Sequence, residues 1–376
     1  MKENPLSKLE TFGQSVWLDY IQRDLIIGGQ LKQMIREDKI KGITSNPSIF
    51  EKAISGCHDY DAAIQTLVQD GKSVSEIYDV LSIQDVQAAA DEFRPVYDIT
   101  GGVDGYVSLE VNPHLAYDSG ATLREARRLW ALLNRPNVLI KIPAAAEGLT
   151  VIRQLISEGI NVNATLLFGI PRYQAVVEAY LEGLEVRLNQ HKPINNIASV
   201  ASFFISRIDT LVDPMLENCI VKGDDKAELA KTMHGQIAVA CAQIAYQNYL
   251  EYFANSRFQK LAVKGARSQR LLWASTGTKN PQYSDVKYID ALIGRDTVNT
   301  IPVETLDAYR QHGEPADRIG HDVVKARWML DKLPDLGICL PDLTQQLENE
   351  GVAKFNASFD KLMDTLQKAT RNPPLR

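Results

Sequence analysis

What is scarce in this chain narrows its class before anything present is read. Its four cysteines, Cys57, Cys219, Cys241 and Cys339, are spread over 376 residues with no CxxC pair and no adjoining histidine pattern. That spacing builds neither a disulfide framework nor a zinc site. Free thiols belong to a reducing compartment, so a cytoplasmic location is expected. No segment approaches the roughly 18 consecutive apolar residues of a membrane span. The opening Met1-Lys2-Glu3-Asn4-Pro5-Leu6-Ser7 lacks the apolar centre of a secretory signal. An excess of basic charge is missing too: 41 Lys and Arg stand against 47 Asp and Glu, a net charge of −6. A nucleic-acid binder usually shows the opposite balance. Low-complexity tracts and short repeats are absent as well.

What is present is alternation. Hydrophobic residues make up 45% of the chain and charged residues 23%, as in a soluble globular protein able to bury a sizeable core. Short apolar runs fall at residues 16–21, 42–46, 105–112, 138–144, 160–168, 197–206, 271–276 and 297–302. Amphipathic stretches separate them, among them 119–133, 148–158, 171–188 and 283–293. Eight strands with helical crossovers predict an α/β fold, a closed (β/α)8 TIM-type barrel. The competing architecture is an open doubly wound sheet, but no glycine-rich phosphate fingerprint follows the first strand.

Three stretches exceed a minimal barrel. Residues 47–101 carry several helical patterns. Residues about 209–254 form a helical insertion with a charged turn at 222–225. Residues about 316–370 form a helical C-terminal extension, interrupted near 334–341. Some 50 helical residues are few for an independent core, so one barrel domain over 1–376 is expected to carry all three.

Within the fourth run, Asn137-Val138-Leu139-Ile140-Lys141-Ile142-Pro143-Ala144, one lysine interrupts aliphatic residues on both parities. Such a run reads as a strand buried on both faces. Lysine is almost never fully buried without a partner. Desolvation favours its neutral amine, a nucleophile towards carbonyl carbon. A lysine snorkelling from a strand end towards water is the plainer assignment for one lone case.

Other strands repeat the pattern. Successive strand residues face opposite sides. On one parity the strands present Asp19; Thr44 and Asn46; Ser108, Glu110 and Asn112; Asn161, Asn163 and Thr165; and Ser202, Phe204 and Ser206. Aliphatic side chains usually fill a barrel interior. Each polar group there costs about 1–3 kcal/mol if unpaired, so several together predict one satisfied network around a buried site. Lys141, Glu110 and Asp19 form a workable chemical set. The carboxylates favour the charged lysine and burial favours the neutral one, and only distances decide between them.

An anion site is visible at the C-terminal ends of strands six and seven, where ligands of such barrels gather. Arg207 follows Ser202-Phe203-Phe204-Ile205-Ser206, and Lys279 follows Ala274-Ser275-Thr276-Gly277-Thr278. Guanidinium and ammonium groups suit a phosphate. An ion pair with Asp209 is the competing assignment for Arg207.

These segments resemble the transaldolase family. Ile43-Thr44-Ser45-Asn46-Pro47-Ser48-Ile49-Phe50 is similar to its first signature, and Ile140-Lys141-Ile142-Pro143 to the one around its Schiff-base lysine. Gly159-Ile160-Asn161-Val162-Asn163-Ala164-Thr165-Leu166-Leu167-Phe168 and Ser202-Phe203-Phe204-Ile205-Ser206-Arg207-Ile208-Asp209 resemble two further strands of the family. The order and spacing agree from about residue 16 to residue 302, and the extra helices resemble its longer bacterial branch.

The resemblance implies roles. Lys141 forms the imine, Asp19 deprotonates the C4 hydroxyl, and Glu110 with a water held by Thr165 moves protons. Asn46 and Asn163 hold hydroxyls of the dihydroxyacetone unit, Thr44, Ser202 and Phe204 line the pocket, and Arg207 binds phosphate. Many members carry a second arginine after strand seven, in an Ala-Ser-x-Arg-Asn run. Here Ala274-Ser275-Thr276-Gly277-Thr278-Lys279-Asn280-Pro281 is longer and offers Ser275 and Lys279. One member has Asp where Asn112 stands.

The implied reaction moves a three-carbon unit between ketose and aldose phosphates in the pentose phosphate pathway. It needs no metal or organic cofactor. The expected partners are sugar phosphates, with neither nucleic acid nor membrane, and the expected assembly is a monomer or homodimer. Related aldolases that release the unit generally carry Tyr where this chain has Phe204, which favours transfer. A non-catalytic sugar-phosphate binder has no use for a buried Lys141 beside Asp19 and Glu110.

Overall fold

The structure is a computed structural model, and it describes residues 4–223 and 225–371. Eight strands, β1 (Gln14–Leu18), β2 (Ile40–Thr44), β3 (Tyr106–Glu110), β4 (Val138–Pro143), β5 (Val162–Leu167), β6 (Ser199–Phe204), β7 (Arg270–Ala274) and β8 (Thr297–Ile301), form a closed barrel in chain order. Every pairing is parallel, and β8 returns to β1 from Gln14↔Thr297 to Leu18↔Ile301. Each strand lies inside one of the eight runs expected from sequence or overlaps it. The observed strands are shorter at their C-terminal ends, where the chain turns outward to build loops.

Local chemistry sets the turns. Asn46 accepts from Ile49 N (3.0 Å) and Pro47 follows, which starts the helix Pro47–Gly56. Ser73 and Glu76 form a reciprocal capping box ahead of the helix Val74–Ile99. The helix Ala146–Glu158 stops at Gly159, whose φ of 93° suits a residue without a side chain. A Cβ there would also lie 2.7 Å from the Arg187 guanidinium. At Gly42 a Cβ would lie 2.6 Å from the Trp17 ring, so the glycine is what admits the indole between β1 and β2.

The expected additions are present as helices. Residues 47–101 hold Pro47–Gly56, Asp61–Gln69 and Val74–Ile99. The insertion consists of Ser206–Lys222, Ala227–Met233 and Ile237–Ala254. Of its charged turn at 222–225, Lys222 ends the first of these helices and Gly223 caps it, and residue 224 lies outside the described residues. The extension consists of Val323–Lys332, a 3-10 turn at Leu333–Leu336 and a long helix, Leu340–Arg371.

One expected helix is much shorter. Within 283–293 only Lys287–Ala291 is helical. Tyr283 instead turns its hydroxyl to Asp213 Oδ2 (2.7 Å), and Ser284 Oγ accepts from Val286 N (3.4 Å). Those tertiary and local bonds outcompete the first turn of a helix. Among the described residues no helix is long and apolar enough to cross a membrane.

The end of the barrel where the strands begin is held by Asp104. It accepts from Arg270 Nη2 (2.8 Å), Ser15 Oγ (2.7 Å) and Trp17 Nε1 (3.3 Å). Asn161 belongs to this structural group rather than to a site. Its Nδ2 donates to the carbonyls of Pro136 and Val138, both at 3.1 Å, and its Oδ1 accepts from Ala198 N (2.9 Å). It precedes β5 and clamps backbone. Asn112 likewise caps the 3-10 turn Pro113–Leu115.

Candidate active site

The opposite mouth of the barrel is a cavity of about 1520 Å³. Asp19, Thr44, Asn46, Lys141, Thr165, Ser202, Phe204, Arg207, Ser275 and Lys279 line it. Glu110 and Asn163 are buried among them at 5% and 0% exposure. All twelve candidate residues therefore meet at one place.

Register explains the convergence. Glu110 of β3 pairs with Lys141 of β4, and Lys141 pairs with Asn163 of β5. Residues side by side in a parallel sheet share a face, so three inward positions become neighbours. Lys141 is 4% exposed. Its Nζ donates to the Ser45 carbonyl (2.9 Å) and lies 3.3 Å from Glu110 Oε2. The Phe355 ring of the C-terminal helix lies 5.9 Å from the same nitrogen.

Polar side chains tie the wall together. Thr44 Oγ1 donates to Asp19 Oδ1 (2.7 Å) and sits 2.6 Å from Thr300 Oγ1. Ser202 Oγ donates to Asn163 Oδ1 (2.6 Å), and Asn163 Nδ2 donates to Ser108 Oγ (3.1 Å). Burial pushes the Asp19 carboxyl above its ordinary range, against the pull of Lys141 and Thr44. Burial raises Glu110 in the same way, again opposed by Lys141. Both carboxyls thus keep a proton to higher pH than a solvated carboxylate does.

Some groups are left unsatisfied. Among the described residues, both Glu110 oxygens and Thr165 Oγ1 are buried without a well-formed hydrogen bond. The Lys141 contact to Glu110 is an ion-pair distance without hydrogen-bond alignment. Unpaired buried oxygens are costly and are kept where chemistry uses them. Backbone strain gathers here too. Leu166 has φ 61°, where the β5–β6 register shifts between Ala164 and Leu167, and Ser275 has φ 55° at the end of β7. A bulge next to Thr165 re-aims the strand end towards the cavity.

Arg207 does not pair with Asp209. Asp209 is buried and accepts from Tyr288 Oη (2.8 Å), Lys287 Nζ (3.2 Å) and Ala238 N (2.7 Å). The Arg207 guanidinium lies 5.6 Å from the Phe204 ring centre instead, and that ring packs on Phe168 at 5.2 Å. Burial lowers the Arg207 pKa.

Lys141, Asp19 and Glu110 thus share one barrel mouth with the Arg207 guanidinium, which among the described residues has no ion pair. The sequence pattern of the Transaldolase/Fructose-6-phosphate aldolase family matches residues 16–366. The chain belongs to that family. It is 45% identical to a transaldolase of Trichodesmium erythraeum over 99% of both chains. It is 46% identical to transaldolase 2 of Nostoc punctiforme over 98% of both. A transaldolase of Acidothermus cellulolyticus is 46% identical over 96% of this chain and 95% of its own.

Sequence reasoning missed four contributors: Ser45, Thr300, Lys354 and Phe355. Thr300 carried a signal, since β8 holds polar residues at 297, 299 and 300. Ser45 acts through its carbonyl, which any residue supplies. Lys354 and Phe355 come from the long helix, whose local pattern is that of ordinary packing.

Proposed function

We propose that this chain is a transaldolase that works through a Schiff base on Lys141. The observation that carries the reading is Lys141 Nζ, buried and 3.3 Å from Glu110 Oε2, beneath a cavity that also holds Asp19. The amine adds to the C2 carbonyl of a ketose phosphate. Glu110, with a water bound by Thr165, moves the protons that release water and leave the iminium ion. Asp19 takes the C4 hydroxyl proton, the C3–C4 bond breaks, and its electron pair passes through the iminium to form an enamine. The aldose phosphate leaves. A second aldose phosphate accepts the three-carbon unit with return of the Asp19 proton, and hydrolysis restores the amine.

The substrates are sedoheptulose 7-phosphate with glyceraldehyde 3-phosphate, giving erythrose 4-phosphate with fructose 6-phosphate. Asn46, Asn163 and Ser202 support binding of the three-carbon unit, Thr44 orients Asp19, and Arg207, Ser275 and Lys279 take the phosphate. Phe204 favours transfer over simple release. Its ring carries no hydroxyl to guide hydrolytic water, and it packs against Phe168, which keeps that wall apolar.

Borohydride reduction in the presence of fructose 6-phosphate tests the lysine. A stable adduct is expected on the peptide containing Lys141 and none in Lys141→Ala. No adduct in the wild-type chain would sink the reading. Erythrose 4-phosphate then separates transfer from release: sedoheptulose 7-phosphate forms only if the unit is passed on. Steady glyceraldehyde 3-phosphate production without acceptor would mark an aldolase.

A further inference from the structure

The long helix Leu340–Arg371 crosses the barrel mouth and is fixed there. Its Gly351 is so close to β5 that a Cβ would lie 3.0 Å from Leu166 Cδ2. Glu348 accepts from Arg172 (3.0 Å), Ser358 Oγ meets Ser48 Oγ (2.7 Å), and Phe355 is 3% exposed. Between these anchors Lys354 faces the same cavity as Arg207 and Lys279. The three cations come from three separate parts of the chain: the end of β6, the loop after β7 and the C-terminal helix.

Among the described residues, none of the three has an ion pair or a hydrogen bond. Lys361, on the same helix, is neutralised by Glu51 at 2.9 Å. Glu350, whose charge reaches Arg207, is hydrogen-bonded by Gln346 (2.7 Å). Glu350 acts on Arg207 and Asp19 on Lys279 only through space, without an ion pair, so the like charges still repel, and they persist where an anion completes the set. The ammonium of Lys354 registers that repulsion. It is held below its ordinary pKa by Arg207 first, then by burial, Lys279 and Lys52.

We infer that Lys354 is the third cation of the phosphate subsite, so that the C-terminal helix, and not the barrel alone, reads the phosphate monoester of the substrate. The inference rests on the Schiff-base transaldolase reading for the identity of the ester, but the anion site can be probed without turnover. A phosphate dianion held by a guanidinium fork and two ammonium groups gains a charge-assisted hydrogen bond from each. The strand-borne residues then position the carbonyl end while the helix anchors the other.

The test compares Lys354→Met, Lys354→Arg and the control Lys361→Met in the full chain. Binding of inorganic phosphate is measured by calorimetry. Lys354→Met is expected to weaken it by about ten- to a hundredfold, the loss of one charged hydrogen bond. Lys354→Arg retains most of the affinity, and Lys361→Met leaves it unchanged. The preference for fructose 6-phosphate over fructose, as a ratio of kcat/KM, falls by the same factor in Lys354→Met. Phosphate affinity equal to wild type in Lys354→Met overturns the inference whatever the turnover. Weakened phosphate binding in a chain that never forms the borohydride adduct upholds the anion site and removes the transaldolase reading alone.

Discussion

Lys141 and Glu110 face each other across β4 and β3, with Nζ 3.3 Å from Oε2 and both side chains almost wholly buried. The pair is placed to share a proton with whatever occupies the cavity. Glu110→Gln keeps the shape and removes the proton acceptor. We expect both formation and hydrolysis of the imine to slow by about 10²–10⁴-fold, the usual yield of one general acid–base group. Time-resolved borohydride trapping checks it. Wild-type trapping rates in Glu110→Gln would take Glu110 out of the proton path.

Asp19 gives a pH signature. Its folded pKa lies above the unfolded value because of burial. A group raised in this way supports folding below the unfolded pKa and loses that contribution as pH rises through the folded one. At neutral pH Asp19 is therefore a burden on stability. Asp19→Asn, whose Oδ1 still accepts from Thr44, is expected to melt higher than wild type at pH 7.5. The difference shrinks as pH falls towards 4, while C3–C4 cleavage collapses throughout. A melting difference that is independent of pH would contradict the assignment.

Asp104 shows the reverse sign at the other end of the barrel. Burial pushes it up, but Arg270, Ser15 and Lys41 together bring it below the ordinary value. Its contribution is present above the unfolded pKa and is lost as pH falls through the lower folded one. Asp104→Ala leaves Arg270 uncompensated and is expected to cost about 3–5 kcal/mol. Denaturant unfolding at pH 7.5 measures the loss. Activity per folded molecule stays at the wild-type level, because the end where strands begin carries stability rather than chemistry.

Phe355 offers a test of water exclusion. The ring sits 5.9 Å from Lys141 Nζ and closes the cavity from the C-terminal helix. Phe355→Ala opens that route. We expect dihydroxyacetone release without acceptor to rise relative to transfer, since the enamine and imine then meet more water. A transfer-to-release ratio equal to wild type would show that the ring does not guard the intermediate.

Much of this was legible in the chain itself. Alternating apolar runs marked all eight strands, because a strand buried between barrel interior and helices must be apolar on at least one parity. The polar parity of residues 108 and 110, 141, and 163 and 165 marked the inward set. Errors arose where a local pattern had two outcomes. Asn161 shares the parity of Asn163 but precedes β5, and there it bonds backbone. Residues 283–293 have a helical pattern that Tyr283 and Ser284 override with their own bonds.

The periodicity of side chains along one strand or helix is a property of a few consecutive residues, so sequence alone determined the barrel, its lysine and the polar ring. Which carboxylate stands against that lysine depended on strand register. Which helix closes the mouth depended on packing between segments far apart in the chain. Lys354 and Phe355 acquired their places only there, because a docked helix face looks the same in sequence whether it covers a core or a substrate.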